Sequence, residues 1–67
     1  MTYEEVEDIL DGYALLKKDG EIYEYCDTPA DLIRETRIKA FQNTRTGEEI
    51  GLTYSELRDN DELSAIY

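Results

Sequence analysis

Residues 13–26 read YALLKKDGEIYEYC and contain the clearest local structural signal in the chain. Two short runs rich in β-forming residues flank Asp19-Gly20. An Asp-Gly pair favours a two-residue type I′ turn, because glycine adopts positive φ at little cost and aspartate tolerates it. The sequence therefore predicts a β-hairpin in which Leu16 faces Tyr23, and we expect the rest of the chain to pack around it.

The two sides of this hairpin differ in how well they suit a core. The side better suited to burial contains four apolar or aromatic residues: Ala14, Leu16, Tyr23 and Tyr25. The other side mixes apolar and charged residues, among them Tyr13, Ile22 and Glu24. Two alternatives remain for that second side, either a covering helix or exposure as a binding face.

An N-terminal helix is predicted over residues 3–11. Thr2 and Glu5 have the spacing of a capping box, in which the threonine hydroxyl accepts from the glutamate N–H and the glutamate reaches back. Apolar residues then recur at helical spacing, and Gly12 suits the position just after a helix end.

Two further short helices are predicted. Thr53 and Glu56 form a second capping box, which indicates a helix over 54–59 with Asn60 as a left-handed cap. A capping residue followed by proline starts a helix well, so residues 30–35 form another candidate.

A second hairpin is predicted over residues 37–52, with its connection at 44–47. Gly51 inside its last strand weakens that strand, or marks a bulge or a close approach of another group. The apolar tail 63–67 either packs back as a strand or frays. The predicted fold class is a small single α+β domain over 1–67, with the N-terminal helix packed on an antiparallel sheet of about four strands.

The charge of the chain is large, negative and uneven. The 67 residues include 17 acids, seven lysines and arginines and no histidine, for a formal net charge of −10. Residues 1–12 hold five acids and no base, and residues 48–67 hold six acids and one base, so each end sums to −5. Such a charge disfavours direct contact with nucleic acid or with anionic membrane surfaces.

The residue types argue against an enzyme. No histidine is present for acid–base work, and the single thiol, Cys26, has no histidine to activate it. The usual zinc ligand sets and a glycine-rich phosphate loop are missing, and residues 59–62 do not fit an EF-hand. We therefore expect no metal and no cofactor. One cysteine and no signal peptide predict a cytoplasmic location.

The uneven charge predicts a function in protein binding. A dense carboxylate surface speeds encounter with a basic groove and repels nucleic acid, while tyrosines add contact area at low entropic cost. If the two acidic ends meet, they would imitate a row of phosphates with bases. The predicted contact residues are Tyr3, Glu4, Glu5, Glu7, Asp8, Asp11, Tyr54, Glu56, Asp59, Asp61 and Glu62.

The sequence thus predicts a non-enzymatic inhibitor that engages the basic, nucleic-acid-binding groove of a protein partner. Phage-encoded anti-restriction and anti-CRISPR proteins include molecules of this size and charge, although this chain shares no motif with them. The alternative is a small interaction or regulatory module, or a homodimer that completes its core, with acidity serving solubility.

Overall fold

The structure, a computed structural model, describes residues 1–26 and 38–67 and has the predicted α+β class. The described helices are α1 (Tyr3–Leu10) and α2 (Tyr54–Asp59). The described strands are β1 (Leu15–Lys18), β2 (Glu21–Cys26), β3 (Lys39–Asn43), β4 (Glu49–Leu52) and β5 (Ser64–Ile66). The helix predicted over 30–35 lies outside the described residues.

The described strands form one antiparallel sheet in the order β4-β3-β2-β1-β5. Strands β1 to β4 follow one another as a meander, and β5 joins the free edge of β1, where Leu15 pairs with Ile66. The described sheet thus has five strands where about four were expected, because the tail packs back as a strand, the first of its two predicted alternatives. The apolar tail completes the sheet because it places Ala65 opposite Leu16, beside the core.

The central hairpin forms as predicted. Asp19 has φ 53° and Gly20 has φ 79°, which are the two positive φ angles of a type I′ turn. Leu16 pairs with Tyr23, and both side chains are buried. The side predicted to suit a core is thus the side that faces it.

The core lies between one face of the sheet and the two helices. Its buried apolar cluster consists of Val6, Ile9, Leu10, Ala14, Leu16, Tyr23, Phe41, Leu52, Tyr54, Leu57 and Leu63. Since α1, α2 and the sheet all contribute to one cluster, both helices pack on the same sheet face. This arrangement brings the two ends of the chain to one side of the molecule.

Both capping boxes are present. The N–H of Glu5 donates to Oγ1 of Thr2 at 3.2 Å, and the N–H of Thr2 donates to Oε1 of Glu5 at 2.9 Å. The same pair of bonds joins Thr53 and Glu56, each at 3.1 Å. These reciprocal bonds satisfy N–H groups that the first helical turn leaves without partners.

The helix ends depart slightly from the prediction. Helix α1 ends one residue early, with Asp11 as its C-cap, and Gly12 follows at φ 87°. The left-handed cap predicted at Asn60 was wrong, since this residue is extended, with φ −81° and ψ 110°. Its side-chain oxygen instead accepts the N–H of Glu62 at 2.9 Å, and this local turn leads the chain towards β5.

The connection between β3 and β4 is organised by a buried asparagine. Oδ1 of Asn43 accepts the N–H of Arg45 at 2.8 Å and the N–H of Thr46 at 3.0 Å. Asn43, Phe41 and Lys39 all face the core side of β3. The predicted second hairpin is therefore confirmed over its described part.

Candidate protein-binding surface

The two acidic ends of the chain meet in the fold. The Met1 ammonium donates to the carbonyl oxygen of Arg58 at 3.0 Å, which joins the start of α1 to α2. At the other end, the Tyr67 hydroxyl donates to Oδ2 of Asp8 at 2.5 Å. Helix α1 is therefore held between α2 and the residue that follows β5. The two ends of the chain therefore lie together, as the hypothesis of a phosphate-like surface requires.

We call the residues gathered here the acidic surface. All lie on α1 or on the segments that contact it. They are Tyr3, Glu4, Glu5, Asp8, Asp59 and Tyr67. Tyr3 is 58% exposed and Tyr67 is 74% exposed. Aromatic rings thus stand in solvent directly beside carboxylates.

Tyr54 does not belong to this surface, and its predicted role as a contact residue is corrected. Only 3% of Tyr54 is exposed, because its ring completes the core between the two helices. The ring centroids of Tyr3 and Tyr54 lie 6.3 Å apart at an interplanar angle of 55°. The buried Tyr54 ring therefore packs against the core side of the exposed Tyr3 ring.

The pKa of Tyr67 shows how closely the acids surround it. Its pKa is raised to about 12, chiefly by the hydrogen bond to Asp8 and then by partial desolvation of the hydroxyl. The charges of Asp8, Glu5 and Glu4 raise it further, because each disfavours a phenolate nearby. At neutral pH, Tyr67 therefore acts as a hydrogen-bond donor that orients Asp8.

Two of the predicted contact carboxylates also stabilise the helix starts. Oε1 of Glu5 and Oε1 of Glu56 accept the backbone N–H of the residue at each helix start. The pKa of Glu5 is lowered, first by the Thr2 backbone N–H and then by the Thr2 side chain. Glu5 thus keeps its negative charge while its side chain is held in one geometry.

Asp59 is partly neutralised by its neighbour. Nε of Arg58 lies 3.1 Å from Oδ1 of Asp59, and this hydrogen bond lowers the pKa of Asp59. In contrast, Glu4 is exposed and its side chain makes neither a hydrogen bond nor an ion pair with the part of the chain that the structure describes. Glu4 is therefore the clearest outward-facing charge on α1.

The remaining predicted carboxylates lie around this surface. Glu7 is half-buried on α1, and Asp61 and Glu62 are exposed in the turn between α2 and β5. The pKa of Lys18, raised mainly by its hydrogen bond with Asp19, is raised slightly by Glu62 as well. Glu62 therefore lies towards the hairpin turn.

Asp11 lies at the opposite end of α1, beside a cavity of about 220 Å³. The cavity is lined by Ile9, Leu10, Asp11, Gly12, Ala14, Leu15, Glu24 and Tyr25. Sequence reasoning placed Glu24 on the second hairpin side but did not connect it with Asp11. No local signal shows this cavity, since it depends on how the end of α1 meets the hairpin.

Among residues 1–26 and 38–67, no group of three or more acidic or cysteine side chains is arranged to hold a metal ion. Neither described helix has the length and apolar character needed to cross a membrane.

No protein-family model matches the chain, and no curated protein or solved structure matches it either. Any functional inference therefore depends on the geometry and charge of the chain itself.

Proposed function

We propose that this protein is a non-enzymatic inhibitor that binds another protein through the acidic surface. Its partner is a nucleic-acid-binding protein with a basic groove, and the acidic surface occupies that groove in place of DNA or RNA. The observation that supports this most directly is that α1, which carries Glu4, Glu5, Glu7 and Asp8, lies against α2 and Tyr67, with Tyr3 and Tyr67 exposed among the acids.

The charge of the surface and the fixed positions of its carboxylates both favour such a partner. Concentrated carboxylates raise the rate of encounter with a basic groove, and the effect weakens as salt screens it. The capping boxes and the Tyr67–Asp8 bond hold several carboxylates before binding, which lowers the entropic cost of ordering them. Exposed tyrosines add rigid contact area beside the charges, as bases do beside phosphates.

The experiment begins with affinity capture from a cell extract at low salt. The captured protein is then purified, and its complex is challenged with rising salt and with duplex DNA or RNA. We expect binding to weaken steeply with salt and to be displaced by nucleic acid. The protein should also inhibit the nucleic-acid activity of its partner.

A matched pair of variants tests whether the acidic surface is the contact. Glu4→Lys with Asp59→Lys reverses two charges within it, and Glu48→Lys with Glu49→Lys makes the same change in net charge at the β3–β4 hairpin. The first pair should weaken binding at least tenfold more than the second. Equal effects, or binding that ignores both salt and nucleic acid, would refute the proposal.

A second candidate function is a homodimeric interaction module. Apolar side chains are exposed at Tyr13, Leu15 and Ile38, and Leu15 lies on the sheet face opposite the helices. Sedimentation at high micromolar concentration separates the candidates, because a dimer supports the module and a monomer contradicts it.

A further inference from the structure

The sheet has a second face, which points away from α1 and α2. Side chains alternate between the two faces of a strand, so the residues next to the buried Leu16 and Phe41 point away from the core. Both described helices contribute to the core cluster on the other face. We call this second side the outer face, and it consists of every second strand residue, starting from Leu15 in β1, Ile22 in β2, Ala40 in β3, Glu49 in β4 and Ser64 in β5.

The outer face exposes apolar side chains beside small ones. Leu15 is 37% exposed and pairs with the half-buried Ile66 of β5. Ala40 pairs with Gly51, and Ile38, which is 67% exposed, lies beside Gly51 on the same side of the sheet. Larger apolar groups therefore stand next to a row of small residues. Sheets that pack face to face interdigitate side chains of such unequal height.

Little of the net charge of the chain lies on the outer face. Its strand residues include one base, Lys17, and two acids, Glu24 and Glu49, so its formal charge is −1, whereas the whole chain carries −10. Two copies of so acidic a chain repel each other most where their carboxylates are concentrated, so the outer face is where they approach at least cost. A basic partner is attracted less strongly here than at the acidic surface.

The outer face is also complementary to itself in charge. Lys17 pairs with Ile22, two positions before Glu24, so Lys17 and Glu24 are diagonal neighbours on adjacent strands. Both are exposed, and neither side chain makes a hydrogen bond or an ion pair within residues 1–26 and 38–67. In an interface with two-fold symmetry every contact occurs twice, so Lys17 of each copy can meet Glu24 of the other.

We propose that two copies of this chain form a two-fold symmetric dimer through their outer faces. The apolar groups of Leu15 and Ile38 are buried between the two sheets, and Lys17 of each copy forms an ion pair with Glu24 of the other. This inference rests on the second candidate function, the homodimeric module, and names its interface. It does not depend on the inhibitor function, because the acidic surface is centred on α1, on the opposite side of the sheet.

Sedimentation velocity of the whole protein, from low to high micromolar concentration, tests for the dimer. We expect self-association to strengthen as salt rises, because salt screens the repulsion between two acidic chains. Leu15→Lys buries an unpaired charge in the interface and should weaken self-association about tenfold. Ser55→Lys makes the same change in net charge at an exposed position on α2, and it should leave self-association unchanged.

A charge exchange tests the pairing of Lys17 with Glu24. Lys17→Glu and Glu24→Lys each bring like charges together across the interface, so each variant alone should associate more weakly than the wild type. The double variant restores opposite charges and should recover wild-type association. A mixture of the two single variants should form mixed dimers in preference to dimers of either one. Failure of both recoveries would overturn the pairing, whether or not Leu15→Lys folds.

The possible outcomes distinguish this interface from the functions proposed above. A dimer that is insensitive to Leu15→Lys and to the charge exchange would overturn the outer-face interface and leave the homodimeric module standing. A monomer at every concentration and salt would overturn both. Neither result bears on the inhibitor function, which is tested by capture of a basic partner.

Discussion

The Tyr67 hydroxyl donates a hydrogen bond of 2.5 Å to Oδ2 of Asp8, across 59 positions of sequence. The partner carboxylate lies on α1, while Tyr67 directly follows β5, the strand that the tail adds to the sheet. This contact therefore links the last described strand to the helix that carries most of the acidic surface.

Titration of Tyr67 should reflect this contact. Its pKa is raised to about 12, so the folded state retains the phenolic proton at pH values where the unfolded chain, near 10, has lost it. The stabilisation is complete below pH 10 and is lost as the pH rises through about 12. The difference in phenolate absorbance between the wild type and Tyr67→Phe measures this pKa, and Asp8→Asn should lower it. A Tyr67 pKa unchanged by Asp8→Asn would contradict the assignment.

Glu21 should show the opposite pH dependence. Its pKa is lowered, first by the side-chain hydrogen bond from Arg45 and then by the one from Asn43. A depressed carboxyl pKa stabilises the fold above its unfolded value of 4.5, and this is lost as the pH falls through the folded pKa. Arg45→Gln should raise the pKa of Glu21, measured by carboxyl NMR. Arg58→Gln serves as the control and should not change it.

The capping boxes should contribute measurably to stability. Replacing either threonine, by Thr2→Ala or Thr53→Ala, removes one N-cap acceptor and should cost about 1 kcal/mol. In a domain of this size that corresponds to a fall in Tm of roughly 4–8 °C. Thermal unfolding followed by circular dichroism measures the loss. Ser55→Ala, an exposed position within α2, should change Tm far less, and a larger loss there than at Thr53 would argue against capping.

Gly51 should be required because of a neighbouring side chain. A Cβ atom built at Gly51 would lie 2.9 Å from Cγ2 of Ile38, closer than such atoms approach in proteins. Gly51→Ala should therefore destabilise the fold. With Ile38→Ala already present, the same change should become neutral or stabilise by about 0.4–1 kcal/mol, since alanine restricts the unfolded chain. Urea unfolding of all four proteins gives the coupling, and equal effects in both backgrounds would refute it.

Much of the local structure was predictable because its causes lie within a few residues. Asp19-Gly20 specifies a turn with positive φ at both positions, and each Thr-Tyr-x-Glu sequence supplies its own helix cap. For the tail, the sequence allowed either a strand or a frayed end. Residues 64–66 form a strand only because the edge of β1 is available for pairing, and that edge belongs to a distant part of the chain.

The acidic composition of the candidate site was predictable from the sequence, but the arrangement of its residues in space was not. The sequence shows two acidic ends, but their meeting depends on both helices packing over one sheet face. The cavity beside Asp11 likewise depends on how the end of α1 meets the hairpin. Such contacts join residues far apart in sequence, so no local pattern specifies them.

Tyr3 and Tyr54 show the difference between what the sequence determines and what the tertiary structure decides. By itself, the sequence determined that each tyrosine follows a threonine cap at the first position of a helix. Only the tertiary structure decided that Tyr3 is exposed on the acidic surface and that Tyr54 is buried in the core. The physical reason is that hydrogen bonds within one helical turn set a cap, whereas burial depends on which other elements cover the side chain.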